Sequence, residues 1–308
     1  LAQHSAGLVF FEGGINLAIS FIINPEACGG KALHRWKRFA PYLHKEGLHY
    51  TEYFTSRPLE AEEIAQRVSP VSDVVYAVGG DGTLLEVANG LWGENIPLGI
   101  VPFGTGNDLG KCLGIPRSNE DILRMIKNPR MKRIDAGKLN GRIFCNVVGI
   151  GFDGEVALSA DNFLKRFGGT PAYLWGVLRA LFTYKAPRMV IEIDGEKIEQ
   201  KTLLVAVGNG RYYGGGLKVV PDAEQDDGLF DICVIDTLWV GKLLFLLPQV
   251  YGGGHLKQKE VRIYRGKKVK ISSDKPVIVQ ADGEILTKTP VELEVLPHAL
   301  NFIVGSRS

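Results

Sequence analysis

Apolar and mixed segments alternate along the first part of the chain with two different periods. Leu17-Ala18-Ile19-Ser20-Phe21-Ile22-Ile23 is nearly continuous, as expected of a strand covered on both faces. Behind it Trp36, Phe39, Ala40 and Leu43 recur at helical spacing while Lys31, Arg35, Lys37, Arg38 and Lys45 fill other positions, which predicts an amphipathic helix over 30–46. The same reading gives strands at 48–54, 73–78 and 98–101, and helices at 59–67, 83–91 and 107–113. Strands alternating with helices imply a parallel sheet with helices on both faces. Beyond residue 136 the segments shorten and carry more turns. Met189 to Asp194 reads as a strand entering a tight turn, followed by Thr202 to Gly208, Leu229 to Ile235, Lys268 to Ser272 and Val277 to Glu284. Regular short strands with turn signals indicate a β-sandwich.

Composition narrows this picture. A chain of 308 residues exceeds what one core usually serves, so two domains are expected. An apolar fraction of 45% with 23% charged residues is that of a globular protein. The formal charge of +2 argues against a dedicated nucleic-acid binder. Cys28, Cys112, Cys145 and Cys233 have no CxxC spacing, which fits reduced packing thiols and offers no zinc pattern. Leu8-Val9-Phe10-Phe11 lacks a preceding basic region and a cleavage site, so it does not read as a signal peptide. Leu238 to Val250, interrupted by Gly241, Lys242 and Pro248, is too short and broken to cross a bilayer core of ~30 Å.

The polar signals fall at strand ends. Asn24-Pro25 follows the first strand, Thr55-Ser56 the second, Gly79-Gly80-Asp81-Gly82-Thr83 the third, and Pro102-Phe103-Gly104-Thr105-Gly106-Asn107-Asp108 the fourth. A glycine turn that opens a helix lets backbone N–H groups face a phosphate, although a plain tight turn explains Gly79 to Gly82 equally well in isolation. Position decides, because open parallel sheets bind ligands beyond the carboxyl ends of their strands, and a nucleotide crevice is favoured over turns alone. Asp81 and Asp108 suit a hard cation held directly or through water, and they equally suit helix capping. Asp282-Gly283-Glu284 ends a strand-like run, where spacing alone favours an Asp-Gly hairpin turn. Pro221 to Leu229 packs four carboxylates into one loop, ordinarily a solvated one. The apolar stripe over 163–184 reads as core before acyl-chain pocket. Lys257 to Lys270 carries seven basic residues against Glu260, which suits either anionic lipid or a solvated sheet edge.

Taken in order, Asn24-Pro25 with Gly29-Gly30-Lys31, Gly79 to Thr83 and Pro102 to Asp108 resemble the signatures of the diacylglycerol kinase catalytic-domain superfamily, in its soluble bacterial lipid-kinase form. Ile134-Asp135-Ala136-Gly137-Lys138, Phe144 to Asp153, Pro221-Asp222-Ala223 with Asp226-Asp227-Gly228, and Asp282-Gly283-Glu284 extend the resemblance over residues 17 to 305. The first loop departs from the pattern, with Ala27-Cys28-Gly29 where a Ser-Gly pair is usual.

The resemblance implies an N-terminal Rossmann-like α/β domain at 15–136, a β-sandwich domain at 137–295, an interdomain cleft, and a final segment at 296–308 that packs back through a strand near Ala299 to Val304. It implies an ATP- and Mg²⁺-dependent kinase that phosphorylates a lipid hydroxyl, foremost diacylglycerol to phosphatidic acid. Nucleotide contacts would come from Asn24, Lys31, Thr55, Gly79, Gly80, Asp81, Gly82, Thr83, Leu84, Leu85, Gly104, Thr105, Asn107, Asp108 and Asp135. Glu284 would accept the proton with Asp282 beside it, and a structural Mg²⁺ would sit on Glu224, Asp227 and the carbonyl of Leu229. A cytoplasmic protein meeting its lipid at the inner membrane face follows, with peripheral association, no nucleic-acid partner, and a homodimer left open. The alternatives are another lipid alcohol such as phosphatidylglycerol or a sphingoid base, an NAD kinase, and a nucleotide- or lipid-binding regulator with vestigial activity.

Overall fold

The computed structural model describes residues 9–10, 17–158, 179 and 183–305. The chain divides into two compact units, Leu1–Ala136 with Pro297–Ser308, and Gly137–Leu296.

The first unit holds the short β1 (Val9–Phe10), then β2 (Ile19–Ile23), α1 (Lys31–Lys45), β3 (Tyr50–Phe54), α2 (Glu60–Val68), β4 (Val74–Gly79), α3 (Asp81–Leu91), β5 (Leu98–Pro102), α4 (Asp108–Cys112), α5 (Asn119–Lys127) and the start of β6 (Arg130–Leu139). β3, β2, β4 and β5 lie side by side in that order and all pair in parallel. Every residue of β2, β4 and β5 is buried, which is why their sequences run apolar without alternation. β3 lies at the sheet edge and exposes most of its side chains. Phe21 anchors the centre, stacked on Tyr76 at 5.2 Å and packed against Trp36 of α1 at 4.8 Å. α1 starts at Lys31 because Cys28, Gly29 and Gly30 all take positive φ (55°, 63° and 82°), which an α-helix cannot contain.

The second unit contains β7 (Arg142–Phe144), β8 (Val147–Gly151), β9 (Arg188–Ile193), β10 (Glu196–Gly208), β11 (Phe230–Asp236), α6 (Val240–Val250), β12 (Val261–Gly266), β13 (Lys268–Ser273), β14 (Ile278–Ala281), β15 (Glu284–Lys288) and the start of β16 (Val291–Val304). Residues 152–158 are helical. One antiparallel sheet runs β10, β9, β13, β16, and the other runs β15, β14, β8, β10, β11, β12. β10 serves both, and its register shifts between Thr202 and Leu204, where it leaves one sheet for the other. Its first half is an extension the sequence conceals: Glu196 to Lys201 is polar apart from Ile198, and β9 pairs with it through the hairpin turn at Asp194-Gly195. Val148, Ile150, Val205 and Val207 share a buried core with Ile191, Val269, Ile271 and Leu293. A second core on the other side of β8, β10 and β11 includes Val147, Leu203, Ala206, Cys233 and Leu243 of α6.

Parallel α/β followed by an antiparallel sandwich is the architecture expected from the sequence. The last residues of β16 join the first unit, where Phe302 pairs in parallel with Leu98 of β5. Cys145 and Cys233 are buried and all four cysteines are free thiols. Among the described residues, no helix is long and apolar enough to cross a membrane. The segment at 1–14 lies outside the described residues except for 9 and 10, and that at 163–184 except for 179, 183 and 184.

Candidate active site

In the first unit the loops after β2, β4 and β5 converge. β4 ends at Gly79 and α3 begins at Asp81, with no side chain capping the helix start. Helix N-termini left open in this way receive anions through their N–H groups. A Cβ on Gly79 would stand 2.5 Å from Thr83 Oγ1, and one on Gly104 would collide with the Gly80 Cα and lie 2.7 Å from its nitrogen. The two loops are therefore in backbone contact, joined by the Gly104 N–H donating to the Gly79 carbonyl at 2.8 Å. Asn24 Nδ2 donates to Thr83 Oγ1 at 3.1 Å, and Thr105 Oγ1 donates to Cys28 Sγ at 3.6 Å. Thr55 is buried beside them, its N–H donating to the Ile23 carbonyl. Lys31 is exposed at the first turn of α1, and Gly82 lies in the first turn of α3. Leu84 and Leu85 are core residues of α3, so only their backbone can serve a ligand.

Asn107 takes φ of 51° and its amide donates to the Gly104 carbonyl at 2.9 Å, which holds the shape of the loop after β5. Asp81 Oδ1 accepts from the Leu109 N–H at 3.2 Å, so it caps α4 while opening α3. Burial, and then the neighbouring Asp108 charge, push the Asp81 carboxyl above its usual range, while N–H groups of Leu109, Asp108 and Asn107 oppose the rise. Asp108 pairs with Lys111 at 2.7 Å. Asp135 is 0% exposed and accepts from the His298 N–H at 2.7 Å, so its carboxylate holds the returning strand in place.

In the second unit Asp282 and Gly283, at φ of 49° and 93°, form the two-residue turn between β14 and β15, with Ala281 opposite Glu284. Asp-Gly suits such a turn because both central residues need positive φ. The Asp282 carboxylate accepts from the N–H groups of Cys145, Asn146 and Val147 at 2.7, 2.9 and 2.9 Å, clamping the entry to β8. Glu284 is the first residue of β15 and lines an apolar cavity of about 630 Å³. Leu243, Leu246, Leu247 and Val250 of α6 form one wall, with Leu203, Val219 and Ile235 among the others. Asp153, Tyr213, Gln280 and Glu284 supply a polar edge, and among the described residues no lysine or arginine lines the space. A volume of this class suits a molecule of drug or lipid size, since typical ligand pockets span roughly 300–1,000 Å³.

The cavity wall was missed in the sequence, where Leu238 to Val250 was weighed only as a bilayer span. Its signal is there to see: apolar residues fill every side of α6, more than one buried face needs. On the outer side Trp239 and Phe245 are 72% and 65% exposed, with Leu244 and Tyr251 also exposed.

Two of the charged stretches singled out in the sequence have partners within the fold. In the implied Mg²⁺ set, Asp227 already pairs with Arg265 and accepts from the Leu229 N–H at 3.0 Å, while Glu224 points to solvent. Among the described residues no three His, Cys, Asp or Glu side chains gather closely enough to hold a metal; the implied set, two carboxylates and one backbone carbonyl, is of a different make-up. The basic stretch is also partly answered within the fold: Arg262 pairs with Asp236, Arg265 with Asp227 and Asp231, and Lys268 and Lys270 with Glu292. Such pairing leaves less charge for lipid than the sequence count suggests.

Comparison with known proteins gives concordant matches. Residues 18–139 match the diacylglycerol kinase catalytic domain, and residues 146–304 match the YegS C-terminal NAD kinase beta sandwich-like domain. A diacylglycerol kinase of Staphylococcus saprophyticus subsp. saprophyticus is 34% identical over 276 residues, covering 87% of this chain and 89% of that protein. The diacylglycerol kinase of Staphylococcus aureus (strain JH9) is likewise 34% identical, over 87% of this chain and 86% of its own. A solved structure of a diacylglycerol kinase from Bacillus anthracis str. Sterne has a TM-score of 0.72 at 25% identity, covering 94% of this chain and 97% of that one.

Proposed function

The chain belongs to the diacylglycerol kinase family, and from that premise we propose that it transfers the γ-phosphate of ATP to the free hydroxyl of diacylglycerol, giving phosphatidic acid and ADP. The observation that carries the reading is Glu284 at the polar edge of an apolar cavity. A carboxylate beside an apolar chamber is what an acyl-bearing alcohol needs, with greasy walls for its tails and a base for its hydroxyl.

The acceptor oxygen attacks the γ-phosphorus, its proton passes to the Glu284 carboxylate, and the bond to the β–γ bridging oxygen breaks. ADP leaves with that electron pair. Such transfer is mostly positioning and charge stabilisation, which the first unit supplies. The glycine loops around Gly80 and Gly104 and the open start of α3 receive the phosphates, and Lys31 adds a positive charge. Asp81 and Asp108, the acids of these loops, would hold the Mg²⁺ of the nucleotide substrate directly or through water, and the ion would supply neutralisation of phosphate charge. Asp282 acts in this scheme as a clamp that holds the Glu284 turn against β8.

The lipid is met at a membrane surface. Trp239, Phe245 and Tyr251 stand outward around α6, whose inner face lines the cavity, and amphipathic aromatic rings favour the headgroup level of a bilayer. Peripheral docking through this helix would bring the cavity to its acceptor.

Incubation of the protein with γ-labelled ATP, Mg²⁺ and diacylglycerol in mixed micelles tests the reading. Labelled phosphatidic acid is expected; its absence, with another lipid labelled from an extract, would replace the acceptor.

A further inference from the structure

Asp153 is 8% exposed, lines the apolar cavity, and is 131 residues away in sequence from Glu284 (284 minus 153). Its Oδ2 accepts two hydrogen bonds, from Gln280 Nε2 at 2.9 Å and from the Tyr213 hydroxyl at 3.1 Å. Gln280 is itself buried, and its other atom, Oε1, accepts from the Gly283 N–H at 2.9 Å. A side-chain amide can present its oxygen to Gly283 only while its nitrogen faces an acceptor, and Asp153 is that acceptor. If the amide turned over, both bonds would be lost together.

Room for this pair is built into β8. A Cβ on Gly149 would collide with the Asp153 carboxylate and stand 2.6 Å from Gln280 Nε2. The arrangement has a cost as well. Asp153 Oδ1 is buried with no well-aligned hydrogen-bond partner among the described residues, and burial pushes the carboxyl above its usual range, with Gln280, Tyr213 and the N–H groups of Gly154 and Asp153 drawing it partly back. A buried, half-satisfied carboxyl is a poor choice for stability alone, since an apolar or amide side chain would avoid the desolvation. Proteins retain such groups where they serve function.

We propose that Asp153 is a positioning residue for the phosphoryl transfer, fixing through Gln280 the turn whose next residue is Glu284. The assignment rests on the reading of Glu284 as proton acceptor and names what holds that acceptor. Gly283 is the last link, because its N–H is bound to Gln280 and its carbonyl carbon is bonded to Glu284. With the relay intact, the Glu284 carboxylate keeps one orientation at the edge of the cavity. With Asp153 or Gln280 truncated, the turn keeps its hairpin geometry but loses this tether.

The test uses the full chain and two readouts. The first is amide hydrogen exchange at Gly283, followed by nuclear magnetic resonance in the parent, D153N, D153L, Q280L and D153L/Q280L. Exchange should quicken at least about tenfold in D153L and Q280L, no further in the double variant, and less than about threefold in D153N, whose amide oxygen can still accept from Gln280. The second is phosphorylation of dioctanoylglycerol. Here D153L and Q280L should each lower kcat by about tenfold or more with KM little changed, again without additivity, and D153N should recover most of the rate.

Unchanged Gly283 exchange in D153L would overturn the relay. So would additive losses in the double variant, or a D153N as impaired as D153L, either of which marks a merely structural carboxyl. A parent protein that phosphorylates no diacylglycerol while Gly283 exchange follows the predicted pattern would sink the acceptor assignment and leave the relay standing. Activity that is insensitive to Asp153 would do the reverse.

Discussion

Single atoms set the limits of both half-sites. Gly104 has no space for a methyl group, because the Gly80 backbone occupies the position a Cβ would take. G104A is expected to force the two phosphate loops apart, to lose about 1–3 kcal/mol of stability through overpacking, and to raise KM for ATP about tenfold or more. Thermal unfolding with and without nucleotide, together with ATP-dependent kinetics, checks both effects; an unaltered response to ATP would mean the loops do not hold the phosphates. Asp153 gives the opposite expectation. Its carboxyl is raised from an ordinary 3.8 by burial, against the hydrogen bonds from Gln280 and Tyr213. From pH 3.8 upward the unfolded chain releases this proton while the folded chain retains it, so folding becomes less favourable as pH rises to the folded value. D153N has no proton to retain, and its stability relative to the parent should improve across that window and show no gain below it. Urea midpoints measured from acid to neutral pH decide this, and a D153N penalty that grows with pH would contradict it.

Elements differ in how openly their sequences announce them. β2, β4 and β5 were legible because all their positions are buried, and α1 because Trp36, Phe39 and Leu43 mark a single inner face. The turn at Asp282-Gly283 was legible from its residue types, and the structure shows that a hairpin and a Glu284 at the cavity edge are compatible readings of the same three residues. The first half of β10 was not, since Glu196 to Lys201 owes its strand to the pairing with β9 and carries little apolar pattern of its own. α6 is, as its length and breaks imply, no bilayer span, and the sequence reading stops there. Its two apolar faces divide between the cavity wall and the outer surface. If the outer face docks on lipid, F245E and W239E should each weaken co-sedimentation with phospholipid vesicles about tenfold while leaving the thermal midpoint near that of the parent, because both side chains are already exposed. Vesicle binding equal to the parent would move the docking surface elsewhere.

At the scale of the molecule, the order of motifs carried further than any one of them. Gly79 to Thr83 alone licensed only an anion site, and the alternation of strands placed it at a sheet edge with three companion loops. What stayed hidden were couplings between distant positions: Asp135 to His298, Asp227 to Arg265, and Asp153 to Gln280. No local period encodes such pairs, because each depends on which strands become neighbours. The acidic loop illustrates this, for nothing in its run of carboxylates foretells Arg265 opposite Asp227. The account nevertheless divides the labour in a way that one experiment can separate, with the first unit holding the phosphate donor and Glu284 of the second activating the acceptor. The direct measurement is transfer of label from γ-labelled ATP to diacylglycerol by the parent and by E284Q, with ATP affinity measured in parallel. Labelled phosphatidic acid from the parent, a loss of roughly 100-fold or more in E284Q, and equal ATP affinity in both are predicted. An E284Q protein that phosphorylates diacylglycerol at the parent rate would contradict the central claim.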